Sequence, residues 1–390
     1  MMANKQLYLD NAATTAVDPA VIEAMLECLG PEATYANPSS SHAAGVEARR
    51  KVERARNQVA ARIGAQPDEI VFTSGATESN NLALQGAVKA RAAVPSHILT
   101  TRIEHKSVLD TVAALARRGV DVGYLECDSQ GRVSLDDLAA SLTERTAVVS
   151  VMHANNEIGV VQDVAAIARL CRERGVLLHM DAAQSAGKLP IDVEGWQVDL
   201  CSLTAHKLHG PKGVGALYVR RGVTIAPTLY GGAQERGLRP GTLAVHQIAG
   251  MGQAYELADP AHDGPRLAGL RDRLWAGLSG VAGARRNGST THCAPHILSV
   301  SLPGVDGESL RFALRDIAVS AGSACASDVP EPSHVLSGIG LSDTLAQGTL
   351  RFSVGRFTSA DDIDTAVERV RAEVERLRAL AVSAPAWCSS

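Results

Sequence analysis

Aromatic residues are scarce in this 390-residue chain, at 3%. Stacking platforms for nucleic-acid bases are therefore not expected. The net charge of -4 comes without a long basic block, which argues against nucleic acid as a direct partner. No run approaches the ~18 apolar residues that cross a bilayer, so no membrane span is expected. The opening MMANKQLYLDNAAT lacks the charged and apolar regions of a signal peptide. Seven cysteines (Cys28, Cys127, Cys171, Cys201, Cys293, Cys325 and Cys388) are odd in number and scattered, with no CxxC pair. That is not a disulfide framework, and it fits a reducing cytoplasm. Neither a Walker loop nor GxGxxG is present, so a nucleotide is not indicated, and no internal repeat is visible.

What remains is a globular composition, 45% hydrophobic and 21% charged, on a chain long enough for two domains. LYLDNAATT reads as a short strand into a polar turn, and Asp18-Pro19 starts a helix through Leu29. A loop rich in Asn, Pro, Ser and Gly precedes a helix from about Val46 to Ile63. From Glu69, short apolar runs alternate with helical stretches: EIVFTS, Ala76 to Ala93, HILTT, His105 to Arg118, DVGYLEC, Ser134 to Leu142, TAVVSVMH, Asp163 to Arg174 and VLLHMD. This alternation implies an α/β fold with a mostly parallel sheet covered on both faces. After the helix Val245 to Leu257, a segment holding Asp259, Pro260, Asp263, Gly264 and Pro265 reads as the passage to a smaller α+β domain. That domain is expected to hold helix 266–278, strand HILSVSL, helix 306–317, strand LRFSVG and helix 360–380, with the first strand of the chain returning to it.

Ligands of such sheets sit beyond the C-terminal strand ends, and polar residues gather there. The apolar run Val198 to Leu203 breaks at Thr204-Ala205-His206-Lys207, and small residues lead into a second run, Val214 to Val219. A lysine ending a buried strand can be desolvated, which lowers its pKa and makes it a candidate Schiff-base lysine; a lysine in a turn is otherwise solvated. In TSGATESNN, Gly75 and the N–H groups of Ala76, Thr77 and Glu78 form either an anion site suited to phosphate or an ordinary helix start. Asp181, ending VLLHMD, could pair with a protonated ring nitrogen or cap a helix. Gln184 follows it closely. Asn156 in HANNEIG offers an amide to a ring hydroxyl or to its own loop. His105 could stack on a planar ring and move protons, or be structural. Cys325 lies among small residues and prolines in SAGSACASDVPEPSH, as a thiolate nucleophile on an accessible loop would. Arg351 offers a carboxylate-binding fork or a surface ion pair. His292, Cys293 and His296 are close enough for a metal, but no fourth ligand is evident, so no metal is expected.

Taken in order, FTSGATESNN, EHKSVLD, MHANNEIGVVQD, HMDAAQSAGKLPID, AHKLHGPKGVGALYVRRG, GGAQERGLRPGT, SAGSAC and LRFSVGRFT resemble the cysteine desulfurases, pyridoxal 5'-phosphate (PLP) enzymes of the class V aminotransferase group. The likeness runs from LYLDNAATT to about Leu380. It implies PLP fold type I: a large domain, residues 16–257, with a mostly parallel seven-stranded sheet, and a small domain, residues 1–15 and 258–390, carrying the cysteine loop. It further implies that Lys207 holds the cofactor and shuttles protons, that His105 stacks on the ring and that Asp181 pairs with its nitrogen. Gln184 and Asn156 would address the ring oxygen and the substrate. Ala76, Thr77, Thr204 and His206 would hold the phosphate, with Thr242 supplied by a partner subunit of a homodimer. Arg351, assisted by Asn156, would bind the carboxylate of L-cysteine, and Cys325 would take its sulfur as a persulfide while alanine leaves.

The Cys325 loop resembles the branch serving iron–sulfur cluster assembly and tRNA thiolation, which implies a sulfur-acceptor or scaffold protein as partner. NNEIGVVQD and VHQIAGMG are closer to its housekeeping members. Thr204 stands where the family commonly has Ser, and the C-terminal RALAVSAPAWCSS lacks the longer tail of those members. A selenocysteine lyase or another PLP-dependent β-eliminase is the nearest alternative activity.

Overall fold

The apolar run TAVVSVM is buried at all seven positions, without the alternation of a half-exposed strand. Such a run is stable only at the centre of a sheet covered on both faces, and that is where a computed structural model places it. The structure describes residues 6–91, 96–321 and 333–383. In chain order the strands are β1 Leu7–Tyr8, β2 Ile70–Thr73, β3 His97–Thr101, β4 Asp121–Leu125, β5 Thr146–Met152, β6 Leu177–Asp181, β7 Leu200–Thr204, β8 Gly215–Val219, β9 Arg285–Arg286, β10 Ile297–Ser301, β11 Ile317–Ala318, β12 Ser320–Ala321 and β13 Thr349–Ser353. The helices are α1 Pro19–Leu26, α2 Ala43–Ile63, α3 Ala76–Ala90, α4 Lys106–Ala116, α5 Leu135–Ser141, α6 Val164–Glu173, α7 Val245–Glu256, α8 Pro260–Leu278, α9 Gly307–Ala313, α10 His334–Gly338, α11 Asp343–Gln347 and α12 Ala360–Ser383.

The large sheet has seven strands in the order β2-β8-β7-β6-β5-β3-β4. Only β8 runs antiparallel to its neighbours, so the sheet is mostly parallel. Its interior is largely apolar, and some of its polar groups satisfy each other across strands. The fully buried His179 on β6 meets Ser150 Oγ of β5 at 2.8 Å and Ser202 Oγ of β7 at 2.9 Å. Both ring nitrogens therefore have partners, as a buried imidazole requires.

A second buried cluster, including Leu9, Leu274, Leu298, Phe352 and Val370, surrounds the antiparallel sheet β12-β13-β10-β9. The N-terminal strand reaches it, since Leu7 and Tyr8 pair with Ile317 and Ala318. That pairing explains why α9 stops at Ala313 rather than near 317: the following residues are drawn into a strand. The segment that reads as a passage, Asp259 to Pro265, is instead the start of α8. Asp259 caps it by accepting from Ala261 N and His262 N, and Pro260 takes the first helical position, where its missing N–H is harmless. Among the described residues no helix is long and apolar enough to cross a membrane.

Candidate active site

The C-terminal ends of β2, β5, β6 and β7 and the start of α4 open onto one cavity of about 490 Å³. Ala76, Thr77, His105, Asn156, Asp181, Gln184, Thr204, His206 and Lys207 all line it. Nine of the residues singled out in the sequence are thus brought together. Thr242 is exposed and does not line the cavity, and Arg351 stands beside it. Cys325 lies outside the described residues.

One end of the cavity is built for an anion. Helix α3 follows Gly75 with no side-chain cap, and its first two residues, Ala76 and Thr77, line the cavity with their backbone donors uncapped. Gly75 has φ +154 and ψ 175, a backbone region essentially limited to glycine. Gly215 on β8 lets the turn come close: a Cβ there would lie 2.6 Å from Gly75 Cα. Thr204 Oγ1 is buried with no hydrogen-bond partner among the described residues. His206 Nδ1 lies 3.1 Å from Thr14 Oγ1. Burial, with Lys207, Lys212 and Lys188 nearby, pushes the His206 imidazole down to about 4, so it is neutral at pH 7. Glu78 Oε2 accepts from Ser74 N at 2.7 Å, and its Oε1 pairs with Arg239 Nε at 2.9 Å. Burial opposes ionisation of Glu78, but these contacts outweigh it and hold the carboxyl below its usual range.

Lys207 lies on the same wall. Burial lowers its amine to about 8, Asp181 opposes that shift and Arg351 adds to it. Asp181 is fixed at both oxygens: Oδ1 accepts from Ala183 N at 2.9 Å and Oδ2 from Asn80 Nδ2 at 2.8 Å. Asn80 Nδ2 also donates to Ser107 Oγ at 2.8 Å, and that hydroxyl lies 2.8 Å from His105 Nδ1. Because His105 Nδ1 already accepts from Ser107 N at 3.1 Å, it carries no proton, and the neutral ring bears its hydrogen on Nε2. Burial and Lys207 both lower the His105 pKa, favouring that neutral ring. The asparagine and serine joining Asp181 to His105 sit inside two of the motifs, but reading along the chain does not single them out.

Glu104, next to His105, is a fully buried acid that sequence reasoning passes over. Its Oε1 accepts from Thr101 Oγ1 and Met152 N, both at 2.9 Å, while Oε2 has no partner among the described residues. Burial pushes this carboxyl up to about 8.

Arg351 on β13 is engaged on two sides. Nη1 donates to the Asn156 carbonyl at 2.9 Å, and Nη2 to Asp10 Oδ1 at 2.7 Å and Ser320 Oγ at 2.8 Å. Its Nε and the side-chain Oδ1 of Asn156 are buried without partners among the described residues. His296 turns inward to Gln184 and Lys188, whereas Cys293 Sγ lies 3.1 Å from Arg271 Nη1 and 3.3 Å from Arg286 Nη2. The THCAPH side chains therefore diverge. No group of three His, Cys, Asp or Glu among the described residues is arranged to hold a metal ion.

A lysine just beyond a strand end, lining one cavity with an uncapped helix start, is the layout of fold type I, and the chain belongs to the Aminotransferase class-V family, whose pattern matches residues 7–366. Within it, the chain is 51% identical over 386 residues to cysteine desulfurase IscS of Escherichia coli (strain K12 / DH10B), covering 98% of this chain and 95% of that protein. Identity and coverage are the same for cysteine desulfurase IscS of Proteus mirabilis (strain HI4320). Among solved structures, a NifS-like protein superposes with a TM-score of 0.89 at 38% identity, covering 95% of this chain and all of that one. The structure of SspA in complex with cysteine does so with a TM-score of 0.80 at 36% identity, covering 90% and 99%.

Enzymes of this kind depend on PLP, and the cavity fits that cofactor. The bare amides of α3 and the unpartnered Thr204 hydroxyl suit a phosphate, the low-pKa Lys207 amine suits an aldehyde, and the fixed Asp181 carboxylate suits a protonated ring nitrogen.

Proposed function

We propose that this chain is a PLP-dependent cysteine desulfurase that removes sulfur from L-cysteine, releases L-alanine and passes the sulfur through Cys325 to acceptors for iron–sulfur cluster assembly. The observation that carries the reading is the convergence of Lys207, Asp181, His105 and the uncapped start of α3 on one cavity. PLP supplies an electron sink for the charge left at the substrate Cα. The amides of Ala76 and Thr77, with Thr204 and His206, would hold its phosphate, and Thr242 of a second subunit would add to them. Asp181 would face the ring nitrogen, His105 the ring face, Gln184 and Asn156 the ring oxygen, and Lys207 the aldehyde carbon.

The residues of the chain then divide the work. The Lys207 amine, neutral above about 8, takes a proton from the substrate Cα and returns one to the product. Arg351 binds the substrate carboxylate, with Asn156 beside it. The Cys325 thiolate attacks the substrate sulfur: an S–S bond forms, the C–S bond breaks, and the electron pair left on carbon is protonated to give alanine. Cysteine and enzyme thiol thus become alanine and enzyme persulfide, with no outside oxidant.

Residues 16–257 would act as the cofactor-binding domain, and 1–15 with 258–390 as the domain carrying Cys325; two large buried clusters support that division. A homodimer is consistent with the exposed Leu26, Tyr35 and Tyr230 and with the exposed Thr242. A cytoplasmic location is consistent with free thiols at Cys28, Cys127, Cys171, Cys201 and Cys293.

The test is an absorption spectrum of the purified protein with PLP, before and after L-cysteine, with alanine assayed. A cofactor band that responds to cysteine, disappears in Lys207→Ala and accompanies alanine release is the expected result. Alanine formed at full rate by Cys325→Ala would remove that residue as the sulfur acceptor.

A further inference from the structure

Three buried polar side chains form a chain that ends at the cavity wall. Gln184 lines the cavity and is 3% exposed; His296 and Lys188, at 1% and 6%, lie one layer further in. Gln184 Nε2 donates to the Ala12 carbonyl at 2.8 Å, which fixes the amide so that Oε1 faces His296 Nε2, 3.3 Å away. A carbonyl oxygen only accepts, so in that contact His296 Nε2 must carry the ring proton. The same nitrogen lies 3.3 Å from Lys188 Nζ. A protonated ring nitrogen offers no lone pair to an ammonium group, so both contacts hold together only when Lys188 is a neutral amine that shares the one Nε2 hydrogen with Gln184 Oε1 in a three-centre bond. A charged Lys188 would instead donate to a bare Nε2. The ring proton would then sit on Nδ1, and Gln184 Oε1 would lose its donor. His296 Nδ1 is buried and unpartnered among the described residues, so neither tautomer is fully satisfied there.

The charges acting on this chain all have one sign. Lys207 acts on Lys188; Lys188, Arg351, Lys207 and Arg271 act on His296; and Lys188 in turn acts on His206 and His209. Among the described residues no carboxylate acts on Lys188 or His296 to favour an ammonium. Burial, with Lys207 adding to it, pushes the Lys188 amine down to about 7.

We propose that His296 is a positioning residue whose tautomer, set by the protonation of Lys188, decides whether Gln184 is held at the cavity wall or released. With Lys188 neutral, His296 and Ala12 pin the amide, and the second hydrogen on Gln184 Nε2 remains for the cofactor. With Lys188 charged, the amide is pinned at one end only. The inference rests on the reading of Gln184 as a contact to the PLP ring oxygen.

The test measures the dissociation constant of PLP from the apoprotein, by absorbance titration at about pH 6 and about pH 8.5, on either side of the Lys188 titration. Wild type is compared with Lys188→Met, His296→Asn and Gln184→Ala, and thermal melting confirms that each is folded. Other groups, Lys207 included, give a pH ratio common to all variants. The relay is expected to add about fivefold to that ratio in wild type, the worth of one neutral hydrogen bond. Both Lys188→Met and His296→Asn should lose the added factor. The side-chain amide introduced by His296→Asn can donate to Gln184 and accept from Lys188 at once, so this variant uncouples the two while keeping a polar group in place. Equal ratios in wild type and these two variants would overturn the relay. A Gln184→Ala protein with unchanged PLP affinity and absorption maximum would overturn the underlying reading of Gln184 instead.

Discussion

Replacing Gly215 by alanine tests whether the anion end of the cavity depends on a close backbone approach. The added Cβ would lie 2.5 Å from the Leu203 carbonyl oxygen, 2.6 Å from Gly75 Cα and 2.8 Å from Gly75 C. All three are backbone atoms, so no side chain can rotate away. Restoring an ordinary contact of 3.4 Å to Gly75 Cα requires a shift of about 0.8 Å (3.4 minus 2.6). Overpacking of this kind costs ~1–3 kcal/mol of stability. The turn that must yield is the one presenting the first amides of α3. Losing the equivalent of one hydrogen bond to a charged phosphate costs ~1.5–3 kcal/mol, or ~10- to 150-fold in PLP affinity. Gly75→Ala is the companion variant. Its Cβ would meet nothing within 4 Å, and its penalty comes only from the strained φ of +154. Titrating each apoprotein with PLP and recording thermal melting gives both quantities. A Gly215→Ala protein that melts with wild type and binds PLP within about twofold of it would refute the argument, since a clash of this size leaves no room for neutrality.

Glu235→Ala leaves Arg56 buried without its bidentate partner, in a pair whose side chains are 9% and 2% exposed. A loss of ~3–5 kcal/mol is expected in guanidinium denaturation, and less than ~1 kcal/mol would show the pair to be dispensable. Glu104 keeps its proton up to about 8 in the folded state, while the unfolded chain releases it near ~4.3. The folded state therefore binds more protons across that window, and this contribution to stability falls as pH rises through it. Glu104→Gln preserves the acceptor for Thr101 and Met152, so melting temperature should fall less between about pH 5 and 8; an unchanged slope counts against the buried acid. With Lys207 as the amine proposed to take up PLP, incorporation requires that amine to be neutral, so its rate should rise with pH and level off above about 8. A pH-independent rate over about pH 6–9 would mean that another group limits the reaction.

Much of this molecule is legible along the chain wherever burial is local. The run TAVVSVM announces a central strand, and an apolar strand ending just before the turn with Lys207 announces the cavity wall, because side-chain periodicity reports which faces are covered. What periodicity cannot report is the distant partner. Leu7 pairs with Ile317, and Arg351 is held by Asp10; neither follows from a pattern a few residues wide. The Asp181–Asn80–Ser107–His105 connection is hidden for the same reason, since it joins the end of β6 to α3 and the start of α4. Local signals also mislead where one residue type serves two purposes. Pro260 and Pro265 read as a linker, yet Asp259 caps a helix there: Pro260 takes its first position, where proline is tolerated, and Pro265 lies inside it without an N–H for the ladder.

The lone antiparallel strand of the large sheet has a consequence for synthesis on the ribosome. Among the described residues β2 is an edge strand paired with β8 alone, and β8 lies about 140 residues later in the chain. At ~5–20 residues per second, Ile70–Thr73 waits on the order of 7–30 s for its partner. Gly75, Thr204 and Gly215 come into contact only when that partner arrives. The anion pocket is thus among the last parts of the large sheet to exist, and vitamin B6 loading is a late event in the life of the nascent polypeptide.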